Sequence, residues 1–260
     1  MQVLLVEDEN AKRSKAITLR QSWFDTHCTA GSYVHVVGNF THTGQIIIDD
    51  ANNLLIVHPD HLISATVVAD SFECIRRAVL QDRVKATNST NESNAYGTIL
   101  HEIFQEAMKA NNWDLDWLNQ LVETTLSKFL EKLFELGHDG TGKALEHLRS
   151  KMPELSSWAQ AFVKVKPGPD AVVEDRNGKK IRMSITKLLD VEEHVWSPTY
   201  GLKGNIDATV QAIMQDEEGE RALTVPFEVK TGRNTSSTSH RAQTALYTLL
   251  LSDRYGNNSY

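Results

Sequence analysis

The chain has 260 residues, 40% of them apolar and 23% charged, with a formal net charge of -7 at pH 7. This is ordinary globular composition: apolar runs such as Ala245 to Leu251 are too short to cross a membrane, and the acidic balance excludes coating nucleic acid through bulk positive potential. Cys28 and Cys74 make no disulfide framework, and the opening MQVLLVEDEN lacks the pattern of a secretory or transit peptide, so a reducing compartment, nuclear or cytosolic, is expected.

The first 65 or so residues read as β-rich. SYVHVVGNF, GQIIIDD and NNLLIVHP run or alternate β-branched residues between Gly and Asn/Asp turns, which suggests a small barrel or sheet. A boundary is expected near residues 65 to 70. From Ser71, SFECIRRAVLQDRV has apolar residues at helical spacing, and the polar NSTNESN reads as a loop. Helical periodicity resumes at Gly97 in GTILHEIFQEAMKA and continues through WDLDWLNQLVETTLSKFLEKLFEL and TGKALEHLRSKMPELSSWAQAFV. Near Ala171 the pattern turns to strands, with AVVEDRNGKKIRMSITKLLDVEEHVW, GLKGNIDATVQAIM and RALTVPFEVKTG. SHRAQTALYTLLLSDRYG closes as a helix.

The chemistry concentrates in GLKGNIDATV and TVPFEVKTG. Asp207 sits on one predicted strand and Glu228-Val229-Lys230 on the next, so strand alternation puts Glu228 and Lys230 on one face with Val229 turned to the core. Two carboxylates converging there make an oxygen site for Mg²⁺ or Mn²⁺, which activates a water and offsets charge on a phosphodiester. Lys230 orients that water or stabilises the pentacoordinate phosphorus transition state as a fixed positive charge. Taken singly, an acid-x-lysine is usually a surface ion pair. His101, on a helix after a Gly97 turn, offers a nitrogen ligand, and Gln243 and Tyr247, four apart, share a helix face from which they contact a DNA strand or support the site. In an acidic protein a single-strand path needs locally gathered cations, for which Arg76, Arg77, Arg83, Lys203 and Arg233 are the candidates.

The ordered set Gly97, His101-Glu102, Asp207, Glu228-x-Lys230 and Gln243-x-x-x-Tyr247 resembles the RecB-like branch of the PD-(D/E)xK nucleases. HPDHLISAT, SFECIRRAVL, SPTYGLKGNIDATV and PFEVKTG are similar to the nuclease domain of the eukaryotic DNA replication ATP-dependent helicase/nuclease family, over nearly the whole chain. The resemblance implies an α/β fold: an OB-like β-barrel over 1–66, then a RecB-like core over 67–260, a mixed sheet flanked by helices and incomplete at its C-terminus, before a helicase motor. It implies an Mg²⁺- or Mn²⁺-dependent nuclease cleaving single strands at 5′ flaps and resected ends in replication and repair. The partner implied is replication protein A, and the compartment is the nucleus, with the mitochondrion as a second; no membrane partner is implied. Catalysis falls to Asp207, Glu228 and Lys230, metal binding to His101, Asp207 and Glu228, and DNA contact or support to Glu102, Gln243, Tyr247, Arg76, Arg77 and Lys203.

The family's [4Fe-4S] cluster implies Cys74 as its first ligand; with the other three expected beyond Tyr260, the cluster is not completable in this chain. ELGHDGTGKALEHL has the glycines of a phosphate loop, but Ala144 replaces the Ser/Thr that holds Mg²⁺ and no strand precedes it, so an interhelical turn is expected. The alternatives are a stand-alone RecB-like exonuclease and an inactive DNA-binding fragment of the same fold.

Overall fold

The computed structural model describes residues 2–84, 91–174, 178–217, 219–230 and 237–256. The chain divides into two units, one of Met1–Ile63 with Trp196–Lys203 and one of Ser64–Val195 with Gly204–Tyr260. Among the described residues no helix is long and apolar enough to cross a membrane.

The first unit is built on β1 (Gln2–Glu7), β2 (Ser14–Leu19), β3 (Val34–Val37), β4 (Gln45–Ile48) and β5 (Leu54–Val57). β1 and β2 form an antiparallel hairpin and β2 pairs in parallel with β4. The hairpin turn is set by Asp8, whose carboxylate accepts the Asn10 and Ala11 amides and the Lys15 ammonium. Alternate residues Ile17, Leu19, Ile46 and Ile48 face inward with Leu55 to form the core of this unit. β3 and β5 pair only with each other, so these strands form two separate sheets and no closed barrel exists among the described residues. The expected barrel is corrected to that extent: no ladder joins the β3–β5 pair to β1–β2–β4.

A two-residue strand at the junction of the units, β6 (Ile63–Ser64), leads into α1 (Ala65–Ser71) and α2 (Ile75–Val84) of the second unit, separated by a turn at residues 72–74. The helical section thus opens six residues before the expected Ser71. α3 runs Glu92–Ala110, and Gly97 lies inside it rather than at a turn. Its start is fixed by Asn91, whose side chain accepts the Asn94 amide at 2.8 Å, so the end of the polar stretch read as a loop is a cap and a first turn. The beginning of that stretch, residues 88–90, lies outside the described residues. α4 (Leu115–Lys128), α5 (Leu130–Glu135), α6 (Gly142–Arg149) and α7 (Met152–Phe162) follow. The loop-like GHDGTGK segment joins α5 to α6, and Gly137 takes φ +82° there. Ile99 and Ile103 of α3 pack with Leu118, Val122, Leu148 and Met152 in a helical core.

β7 (Val172–Glu174), β8 (Lys180–Ser197), β9 (Leu202–Asp216) and β10 (Gly219–Phe227) form a sheet in the order β10–β9–β8–β7, and α8 (Thr238–Tyr255) closes the fold. The architecture is α/β, with a mixed set of sheets and helices. Phe104 and Met108 of α3 pack against Ile185, Ala208 and Val210 of the sheet, and the Phe104 ring stacks on Phe227 at 5.2 Å. That packing fixes α3, and with it His101, against the strand that carries Asp207.

Candidate active site

Register decides the site. β10 pairs antiparallel with β9 so that Phe227 opposes Ala208, which brings Glu228 and Asp207 opposite each other just past the end of the ladder. β10 ends at Phe227 because the next free amide is taken by a side chain: Val229 N–H donates to Asp207 Oδ2 at 2.8 Å. Glu228 and Lys230 therefore follow the strand rather than lie on it, although Val229 does pack into the apolar cluster of the sheet. The same Asp207 oxygen lies 3.3 Å from His101 Nδ1.

Glu228 is held through one oxygen. Lys230 Nζ donates to Glu228 Oε1 at 2.7 Å and Gln243 Nε2 donates to the same atom at 2.8 Å. Gln243 Nε2 also reaches Tyr247 Oη at 3.0 Å. Glu228 Oε2 is buried and has no hydrogen-bond partner among the described residues. Burial pushes the Glu228 carboxyl above its ordinary range; Lys230 opposes that shift and the Asp207 charge adds to it. His101 is pushed up by its hydrogen bond to Asp207, with burial opposing. Tyr247 is pushed up by burial, against its hydrogen bonds with Thr66 and Gln243.

His101, Asp207, Glu228, Lys230, Gln243 and Tyr247 are thus brought into one hydrogen-bonded neighbourhood. Gln243 and Tyr247 are only 5% and 2% exposed, which makes them supports of Glu228 rather than a surface for a strand. Glu102 turns to Lys128, with Nζ at 2.6 Å from its carboxylate. It also lines, with Asn94, Gly97, His101 and Glu192, an open cavity of about 520 Å³ beside the site. Arg76, Arg77 and Arg83 are exposed on α2, Lys203 is exposed in the first unit, and Arg233 lies outside the described residues. Cys74 is exposed in the turn between α1 and α2, and Cys28 belongs to the first unit.

Among the described residues no three His, Cys, Asp or Glu side chains close into a ready metal cluster. The donor set nonetheless fits a hard divalent cation in type, since the buried oxygen of Glu228 without a partner is the kind of atom a cation satisfies.

Several supporting residues carry no motif. Glu193, 2% exposed, accepts from Tyr255 Oη at 2.8 Å and from Thr209, and pairs with Arg254 at 2.9 Å. Ser239 and Ser237 donate to Asp70 and Glu73, both at 2.8 Å, which ties α8 to α1 and the turn after it. Glu192, at φ +50°, accepts from Gln105 and Asn205. Only the helical spacing of the α8 residues hints at any of this.

A family model described as the DNA replication factor Dna2 matches residues 8–212. The chain is 38% identical over 244 residues to the DNA replication ATP-dependent helicase/nuclease dna2 of Schizosaccharomyces pombe, covering 93% of this chain and 17% of that protein. It is 35% identical over 260 residues to the helicase/nuclease JHS1 of Arabidopsis thaliana, covering 97% of this chain and 19% of the relative. Against the human DNA replication ATP-dependent helicase/nuclease DNA2 the identity is 29% over 262 residues, covering 97% and 24%. The chain spans about a fifth of the length of these curated relatives. On the extent of the family match, the chain belongs to the Dna2 family of DNA replication factors.

Proposed function

We propose that this chain is the nuclease part of a replication helicase/nuclease, a RecB-like PD-(D/E)xK core that cuts single-stranded DNA at 5′ flaps and resected ends with Mg²⁺ or Mn²⁺. The observation that carries the reading is the meeting of Asp207, Glu228, Lys230 and His101, with Glu228 Oε2 left buried and without a partner among the described residues. The names of the relatives, which are helicase/nucleases, support it. His101, Asp207 and Glu228 would hold the cation, which when bound supplies an activated water and neutralises phosphate charge. Asp207 is oriented for this by the Val229 amide, and Glu228 by Lys230 and Gln243. Lys230 keeps a positive charge beside the site for the negative charge that grows on phosphorus in the transition state.

In this reading the β-rich first unit is an OB-like module, and Lys203, Arg76 and Arg77 are each an exposed cation for binding the strand. The substrate is single-stranded or flap DNA presented by replication protein A, in the nucleus and the mitochondrion. Cys74 is one ligand of a [4Fe-4S] cluster in the parent helicase/nuclease; the two cysteines of this sequence do not suffice for a cubane. Iron analysis of the parent protein with Cys74→Ala tests that ligand, and a full iron complement would remove it.

The decisive experiment follows cleavage of 5′-flap and single-stranded oligonucleotides with Mg²⁺, with Mn²⁺ and with chelator. Asp207→Asn, Glu228→Gln and Lys230→Ala should each lower the rate by at least about a hundredfold without loss of fold. Chelator-resistant cleavage, or wild-type rates in the carboxylate variants, would remove the reading.

A further inference from the structure

Gly204 lies on β9, three residues before Asp207, and its missing side chain has a specific neighbour. A Cβ built there would stand 2.8 Å from Tyr247 Cε1, 3.1 Å from Tyr247 Cδ1 and 2.9 Å from Leu250 Cδ1. No φ in the left-handed region accounts for the glycine. Its bareness is instead a matter of space, filled by a ring that is 2% exposed and by a leucine that is fully buried. Close packing leaves that ring nowhere to retreat at small cost.

We infer that Gly204 is a positioning residue for Glu228, acting through Tyr247 and Gln243. The path is continuous: the ring of Tyr247 rests over Gly204, its hydroxyl accepts from Gln243 Nε2, and that amide also donates to Glu228 Oε1. With Lys230 on the same oxygen, Oε1 is tied down twice and Oε2 is the oxygen left over. The seat of Tyr247 therefore selects which carboxylate oxygen is available to a cation. A methyl group at position 204 pushes the ring, draws the Gln243 amide off Oε1 and lets the carboxylate turn. The inference deepens the metal-dependent reading and rests on it for its consequence, but the positioning itself is a property of this chain.

The test is a double-mutant cycle read in two ways on the full chain. Mn²⁺ titration followed by electron paramagnetic resonance gives affinity, and the Gln243 side-chain amide signals in ¹⁵N spectra give the state of the hydrogen bonds. Gly204→Ala should weaken Mn²⁺ binding by about tenfold, the scale of losing an outer partner of a metal ligand, and should shift the Gln243 amide signals and speed their exchange. In a Gln243→Ala background the same change should cost little further affinity, because the path is already cut. Leu250→Ala, at the same packing site but off the path, should lower stability and leave Mn²⁺ affinity as in wild type. Unchanged Gln243 signals in Gly204→Ala, or an equal loss of affinity in both backgrounds, would overturn the inference. Shifted Gln243 signals with no Mn²⁺ binding even in wild type would sink the metal-dependent function and leave the positioning standing.

Discussion

The imidazole of His101 stands 3.3 Å from the carboxylate of Asp207, and the hydrogen bond raises its pKa above the ordinary histidine value of 6.5. A raised folded-state pKa contributes stability that is fully present below the unfolded value and is lost as pH rises through the folded one. In chelator, wild type should therefore lose stability between about pH 5.5 and about pH 8.5, and His101→Ala should show a flatter profile. Glu228, also raised, acts in the same sense in both proteins. Urea unfolding at the two pH values checks this, and parallel profiles would refute it.

Arg254→Met should destabilise the chain by about 3 kcal/mol, because it leaves the carboxylate of Glu193 buried without its cation. Arg254 is half exposed, so Glu193→Gln, which strands only a solvated guanidinium, should cost clearly less. Denaturant melts of the two variants measure the asymmetry, and equal costs would contradict it.

Phe104→Ala should cost about 3–5 kcal/mol, since the ring is 3% exposed and stacked on Phe227 with Trp113 and Trp158 at its sides. The loss should be visible as a change in tryptophan fluorescence. Because α3 carries His101, it should also loosen the imidazole from Asp207, read as a fall of the His101 pKa toward its ordinary value by NMR.

Reversing the charges of Arg76 and Arg77, both exposed on α2, should weaken single-strand affinity and flatten its salt dependence by about 0.7 in log–log slope for each phosphate no longer neutralised. An unchanged slope would return both side chains to plain solvated charge. The net charge of -7 makes this a sharp test, since local clusters must carry any DNA binding.

The strands of the second unit are legible in the sequence because β8, β9 and β10 alternate or run apolar residues between clear turns, and because Glu228 and Lys230 straddle an apolar Val229. The end of β10 is not legible: it depends on Asp207 capturing the Val229 amide, a tertiary event that no local pattern encodes. Periodicity misplaces the start of α3 because Asn91 reads as a loop residue when it is a cap, and Gly97, a usual breaker, is tolerated in a helix anchored by Ile99, Ile103 and Phe104. The buried Glu193 and its partners leave no trace in the sequence, since a glutamate flanked by Glu192 and His194 on an exposed-looking strand reads as solvated. Gly204 is visible only as a turn-like glycine, and its reason lies in the ring above it.

The first unit takes its last piece, Trp196–Lys203, from far along the chain. At ribosomal speeds of roughly 5–20 residues per second, on the order of ten seconds separate the synthesis of Ile63 from that of Lys203. During that interval β1 to β5 wait without their closing segment, with Leu5 and Tyr33, 82% and 71% exposed even in the finished fold, open to other chains. The helices α3 to α7 are complete sooner and share a core drawn from neighbours in sequence, so they can form while the older strands are still unfinished. Birth order therefore leaves the first strands of this chain waiting on a segment made after the helical core.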